Sequence, residues 1–199
     1  SDVSFINSLD TENPAYLNEL EEYAKKTEVP IIRKQMQSLI RVLLTLGQPK
    51  QILEVCTAIG FSALFMSEYA PDDCHITTIE KYEKRIPLAR ENFRKSGREH
   101  RFTLLEGDAA AILPTLTGQF DLIFMDAAKG QYLHFLPDVL RLLAQGGILI
   151  SDNVMQDGDI IESRFAVTRR NRTIHGQIES LLPSPQSKSF WPSPEVQKL

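Results

Sequence analysis

From Gln51 onward the chain repeats one pattern: a short apolar run, polar or small residues at its end, then an amphipathic stretch. The runs are ILEVC (52–56), HITTI (75–79), RFTLL (101–105), FDLIFM (120–125) and GILIS (147–151). The stretches at 61–70, 83–96, 109–113 and 131–144 are predicted to be helical. Apolar runs this short have the length of strands, and strands that alternate with helices are joined by crossovers. The pattern predicts an α/β fold: a doubly wound, mostly parallel sheet with helices on both faces. In such sheets ligands bind outside the carboxyl ends of the strands, near the reversal of strand order. Chemistry is therefore expected in the residues that follow each run.

Two helices are expected ahead of the repeat. Asn13-Pro14 reads as a cap and a first helical position before YLNELEEYAKK, with Leu17, Leu20 and Ala24 on one face. After Val29-Pro30, the residues Ile32, Met36, Leu39, Ile40 and Leu43 recur at helical spacing, and Gly47 is placed to end that helix. A chain of 199 residues, 42% of them hydrophobic, is expected to bury one core. We expect a single domain over 1–182, with helices in 1–47 and the α/β core in 48–182. Residues 183–199, with Pro183, Pro185, Pro192 and Pro194, read as an irregular tail. Charges interrupt every apolar stretch, so no membrane span is expected. The first residues, SDVSFINSLD, are neither basic nor apolar, and Cys56 and Cys74 make no framework; a reducing cytoplasm is the expected setting. The net charge of -4 excludes a uniformly basic nucleic-acid coat but leaves room for a local basic patch.

The first run leads into Glu54-Val55-Cys56-Thr57-Ala58-Ile59-Gly60, a turn that brings backbone N–H groups and a helix N-terminus to a ligand. It lacks the G-x-G-x-x-G spacing of a nicotinamide site. The next run leads to Glu80, where an acid either accepts hydrogen bonds from ribose hydroxyls or caps the following helix. The third leads to Gly107-Asp108-Ala109, placed to meet an adenine edge. The fourth and fifth lead to Met125-Asp126-Ala127-Ala128-Lys129 and Ser151-Asp152-Asn153. Two carboxylates and an amide oxygen from neighbouring strand tips are hard ligands suited to a magnesium-like ion. Helix caps beside a surface lysine are the plainer alternative. The four histidines show no ligand spacing.

The segments VPII, ILEVCTAIGFSA, TIEK, EGDA, FMDAAKGQY, SDNV and RRNRTIH resemble the cation-dependent O-methyltransferases, the family of catechol and caffeoyl-coenzyme A methyltransferases, over roughly residues 15 to 180. Within it the texture is most similar to the bacterial tRNA 5-hydroxyuridine methyltransferases. The resemblance implies a Rossmann-like methyltransferase with S-adenosylmethionine and Mg2+, or another divalent cation, as cofactors, and it implies a homodimer. It assigns Asp126, Asp152 and Asn153 to the metal. Lys129 becomes the candidate general base, or a protonated lysine that steadies the oxyanion, with Asp126 beside it in catalysis. Glu80 is assigned to the ribose and Asp108 with Ala109 to the adenine. Glu54, Thr57, Ala58, Gly60 and Ser62 line the methionine end with Asp126 nearby, and Ile32 covers the cofactor from the second helix.

Two departures stand out. Cys56 replaces a glycine of the family, so its thiol either crowds the methionine moiety or is accommodated as a small hydrophobe. The proline-rich tail is poorly suited to the antiparallel strands that usually close the sheet edge. Arg164, Arg169, Arg170 and Arg172 form a positive cluster, read as phosphate contacts through Arg169, Arg170 and Arg172 or as a solvated helix face. Tyr132 is placed to stack on a base or to pack. The expected function is methylation of 5-hydroxyuridine in tRNA to 5-methoxyuridine. A small catechol-like or hydroxycinnamoyl acceptor is the alternative, and a cofactor-binding protein with impaired catalysis is a third reading.

Overall fold

The computed structural model describes the backbone of residues 13–126, 129–152 and 165–169, and the side chains of 13–126 and 131–151. Two helices come first, α1 (Ala15–Lys26) and α2 (Lys34–Gly47). They bury Leu17, Leu20 and Ala24 from α1 and Met36, Ile40 and Leu44 from α2, the apolar stripes read from their spacing. Asn13 does not cap α1. Pro14 holds the cap position, and its carbonyl accepts the N–H groups of Leu17 and Asn18. The freed Asn13 side chain donates to Gln37 at 3.0 Å and accepts from the Tyr69 hydroxyl at 3.2 Å, pinning the start of α1 to its neighbours. Helix α2 ends at Gly47, but the left-handed residue that terminates it is Gln48, at φ +44°.

The repeat then unfolds as β1 (Gln51–Val55), α3 (Phe61–Tyr69), β2 (His75–Glu80), α4 (Ile86–Lys95), β3 (Phe102–Glu106), α5 (Ala109–Ile112), β4 (Phe120–Asp126), α6 (Lys129–Leu142), β5 (Leu143–Asp152) and β6 (Phe165–Arg169). The sheet order is β3-β2-β1-β4-β5-β6; β1 to β5 are parallel and β6 runs antiparallel to β5. Strand order reverses between β1 and β4, which places the ligand crevice at their carboxyl ends. Side chains alternate across the sheet. Ile52, Leu122, Phe124 and Ile150 join the core with Met36, Ile40, Phe65 and Phe93 of the helices on one face. Leu53, Val55, Ile123, Met125 and Leu149 pack with Leu136, Val139 and Leu142 on the other. Burial on both faces explains why the runs read as continuously apolar.

Three expectations need correction. Helix α4 starts at Ile86 rather than 83, because Tyr82–Arg85 closes a turn first, with the Arg85 N–H on the Tyr82 carbonyl. Helix α6 stops at Leu142 rather than 144, because Leu143 already pairs with Phe120. The register then slips to Leu122 against Ile148, and Gly146, at φ +78°, lies inside that irregularity. Finally, Arg169 is not on a helix. It ends the edge strand β6, opposite Ile148, so an antiparallel strand closes this edge ahead of the proline-rich segment. Arg164, Arg170, Arg172 and the tail at 183–199 lie outside the described residues. Among the described residues, no helix is long and apolar enough to cross a membrane.

Candidate active site

The ends of β1, β2, β3 and β4 and the turns after them enclose a cavity of about 220 Å³. Cys56, Glu80, Lys81, Asp108, Ala109 and Asp126 line it. A larger groove of about 430 Å³ between α1 and α4 contains none of the residues expected at the site.

The turn after β1 is tied to β2 at every step. The N–H groups of Cys56 and Thr57 both donate to the Ile79 carbonyl, and the Ala58 N–H donates to Glu80 at 2.6 Å. The other Glu80 oxygen accepts the Tyr82 N–H at 2.8 Å. Glu80 is buried, yet it lines the cavity. Each of its oxygens keeps a lone-pair site for a further donor, so it organises the turn and can also receive ribose hydroxyls.

Gly60 caps α3 at φ +86°, and a Cβ there would sit 2.8 Å from the Phe93 ring. Left-handed strain and this clash add, so Gly60→Ala should cost roughly 2–3 kcal/mol of stability. Denaturant unfolding measures it; a loss under about 0.5 kcal/mol would show that Phe93 gives way freely.

Cys56 has φ +88°, a conformation that glycine adopts without strain. The thiol is open to the cleft but crowded by protein and acids. Desolvation, then the charges of Glu80, Asp126 and Glu54, push it up to about 12, so it is no reactive thiolate. The glycine of the family suits this backbone better than cysteine does. Cys56→Gly should therefore raise stability by about 1 kcal/mol and leave S-adenosylmethionine affinity equal or tighter. Markedly weaker binding by calorimetry would identify the thiol as a contact that this chain uses.

Glu54 and Ser62 lie beneath the cavity rather than on its wall. Glu54 is fully buried; it accepts hydrogen bonds from Ser62 and, at 2.5 Å, from Thr78, while Thr78 and Thr57 share a 2.6 Å contact. Burial pushes its carboxyl up to about 8, with the charges of Asp126 and Glu80 adding to the effect and the two hydroxyls opposing it. Asp108 caps α5 through the Ala110 N–H at 2.9 Å and faces Lys81 at 3.5 Å. That N–H, with help from Lys81, holds its carboxyl below the usual range.

Asp126 ends β4 and Asp152 ends β5, and the two are paired residues of the ladder. Adjacent strands run about 4.8 Å apart, so the two backbone positions lie side by side at the strand tips. Two oxygen donors at one strand edge fit a hard divalent ion. Among the described residues no group of three His, Cys, Asp or Glu is formed that could hold a metal. Asn153 and the side chains of Asp152 and Lys129 lie outside the described residues; the backbone places Lys129 at the start of α6.

Ile32 is buried in the helical core and does not line the cavity. Tyr132 packs against the α5–α6 core, and burial raises its hydroxyl pKa; packing, not an open stacking face, is what is seen. Lys81, Gln131 and Phe135 line the cavity and were missed. Gln131 and Phe135 are four apart on α6, a shared face that helical spacing alone would have disclosed.

A parallel sheet with its crevice at the switch point, an acid on β2 tied to the first turn, and acids at paired positions ending β4 and β5 define an α/β protein with an acidic ligand crevice at the carboxyl ends of its strands. The O-methyltransferase family profile matches residues 7–180, and the chain belongs to that family. It is 33% identical to the catechol O-methyltransferase of Niastella koreensis over 127 residues, 62% of this chain and 58% of that protein. It is likewise 33% identical to the catechol O-methyltransferase of Mycobacterium tuberculosis over 115 residues, 57% of this chain and 52% of that one. The matches thus span little more than half the length of these curated relatives. Among solved structures, the SAH-bound Podospora anserina methyltransferase PaMTH1 is 34% identical, with a TM-score of 0.70 over 76% of this chain and 67% of that one. A Klebsiella pneumoniae structure is 30% identical, with a TM-score of 0.72 over 92% of this chain and 84% of its own.

Proposed function

We propose that this chain transfers the methyl group of S-adenosylmethionine to an oxygen of an acceptor carrying two adjacent oxygens, with a divalent cation beside it. The observation that carries the reading is the acid arrangement: Glu80 and Asp126 line one cavity at the switch point, and Asp152 is in register with Asp126. The SAH-bound relative supports the cofactor. Glu80 receives the ribose hydroxyls and Asp108 with Ala109 meets the adenine. The acids near Cys56 suit a sulfonium and an ammonium. Asp126, Asp152 and Asn153 would hold a divalent cation, which would supply Lewis acidity to the acceptor hydroxyl.

The acceptor oxygen attacks the methyl opposite the departing sulfur; a C–O bond forms, the C–S bond breaks, and the sulfonium leaves as a neutral thioether. Holding both partners in line removes much of the entropic barrier. Lys129 takes the hydroxyl proton or, already protonated, steadies the oxyanion.

The acceptor we favour is 5-hydroxyuridine in tRNA, which offers its 5-hydroxyl and 4-carbonyl. The RRNRTIH stretch supports it, with Arg169, Arg170 and Arg172 as phosphate contacts. The catechol O-methyltransferase relatives favour a second acceptor, a small catechol with the same pair of adjacent oxygens. Mass spectrometry of nucleosides from tRNA incubated with protein, S-adenosylmethionine and magnesium should show 5-methoxyuridine. Methylated catechol beside unchanged tRNA overturns the RNA acceptor; no transfer to either overturns the activity.

A further inference from the structure

We propose that Thr78 is a positioning residue for the methionine end of the cofactor, because its single hydroxyl joins the buried carboxyl of Glu54 to the turn at Thr57. The inference rests on the S-adenosylmethionine reading above.

Glu54 on β1 and Thr78 on β2 are partners in the parallel ladder. The Thr78 hydroxyl donates to Glu54 Oε2 at 2.5 Å, and its oxygen lies 2.6 Å from Thr57 Oγ1. A hydroxyl carries one proton. When Glu54 is a carboxylate, that proton is committed to it and Thr57 is the donor in the second contact; when Glu54 is protonated, the order can reverse while the links remain. The other oxygen of Glu54 accepts from Ser62, in the first turn of α3. One chain of hydrogen bonds therefore runs from Thr57 through Thr78 and Glu54 to Ser62.

What this chain holds is strained. Cys56 and Ala58, on either side of Thr57, have φ +88° and +49°. Such conformations persist only where the surroundings over-determine them. Backbone bonds from Cys56, Thr57 and Ala58 to Ile79 and Glu80 supply part of the constraint. Side chains supply the rest: Thr57 contacts Thr78, and the Asn92 side chain donates to the Ile59 carbonyl at 2.8 Å. Thr57, Thr78 and Glu54 are all closed to solvent, so water has little access to replace a deleted hydroxyl. Cys56 lines the cavity, so slack at Thr57 reaches the ligand through the adjacent residue.

The test is calorimetry with S-adenosylmethionine on the parent, Thr78→Val and Thr78→Ser. Valine keeps the shape and removes the hydroxyl; serine keeps the hydroxyl. The valine variant should bind on the order of tenfold more weakly, and the serine variant within about threefold of the parent. Valine binding within twofold of the parent overturns the proposal, as does a serine variant weakened as much as valine. If the valine variant does not fold, Thr57→Val breaks the next link while leaving the Thr78 hydroxyl on Glu54, and the same tenfold criterion applies. A parent that does not bind S-adenosylmethionine overturns the reading of the cofactor and this proposal with it. A parent that binds, beside a valine variant that binds equally, overturns the proposal alone.

Discussion

Asp152→Ala should lower methyl transfer on the order of 100-fold or more, while S-adenosylmethionine affinity stays within about threefold of the parent. Asp152 ends β5 opposite Asp126, one of two carboxylates that adjacent strand tips bring to the same edge. Removing one charged oxygen donor from a site that keeps several waters weakens the ion and releases the acceptor it orients. Asp126 lines the cavity at the switch point, where the proposed cofactor would lie. The two positions should therefore separate: Asp126→Ala loses turnover and cofactor affinity together, whereas Asp152→Ala loses turnover alone. Turnover against magnesium concentration, with a chelator control and parallel calorimetry, measures both. Equal parental activity with and without chelator removes the cation from the reaction.

The sheet was legible because a strand buried on both faces leaves a continuous apolar run, and all five parallel runs became strands at or within a residue of their expected starts except the last. That exception is instructive. Leu143 reads as part of the helix at 131–144 and Gly147 as the start of the run, but a bulge lets β5 begin early, at Leu143. Strand β6 was not foreseen at all, since an edge strand is fixed by its single neighbour rather than by its own periodicity. The acids Glu80, Asp108 and Asp126 were legible because each follows an apolar run, where this fold places its crevice. Ile32 was assigned to the cofactor by resemblance, and its apolar side chain packs in the helical core. Thr78 was invisible as a site residue. Inside HITTI it reads as an ordinary β-branched strand residue, and only the partner opposite it, Glu54, gives its hydroxyl a task.

Glu54→Gln should flatten the pH dependence of stability of the ligand-free protein and make it more stable than the parent above pH 8. The Glu54 carboxyl lies fully inside the protein, near the charges of Asp126 and Glu80, and its ordinary pKa of 4.5 is pushed up to about 8. An acid whose pKa is higher folded than unfolded contributes stability that is fully present below the unfolded value. That stability is lost as pH rises from about 4.5 through about 8. At about 1.4 kcal/mol for each tenfold change in acidity, the gap sets a ceiling of about 5 kcal/mol. Glutamine mimics the neutral acid, and the hydroxyls of Ser62 and Thr78 can rotate to meet its oxygen and amide. Urea unfolding at pH 5 and pH 9, in chelator and without cofactor, should give similar stabilities for both proteins at the lower pH and a higher one for the variant at the upper. Parallel curves would show that Glu54 does not titrate in this window. The same electrostatics bear on function. The charges of Glu80 and Asp126 help hold the Glu54 carboxyl up, and a cation bound beside them would offset that effect. If S-adenosylmethionine binds as proposed, its saturating presence should therefore narrow the gap between parent and variant at pH 9.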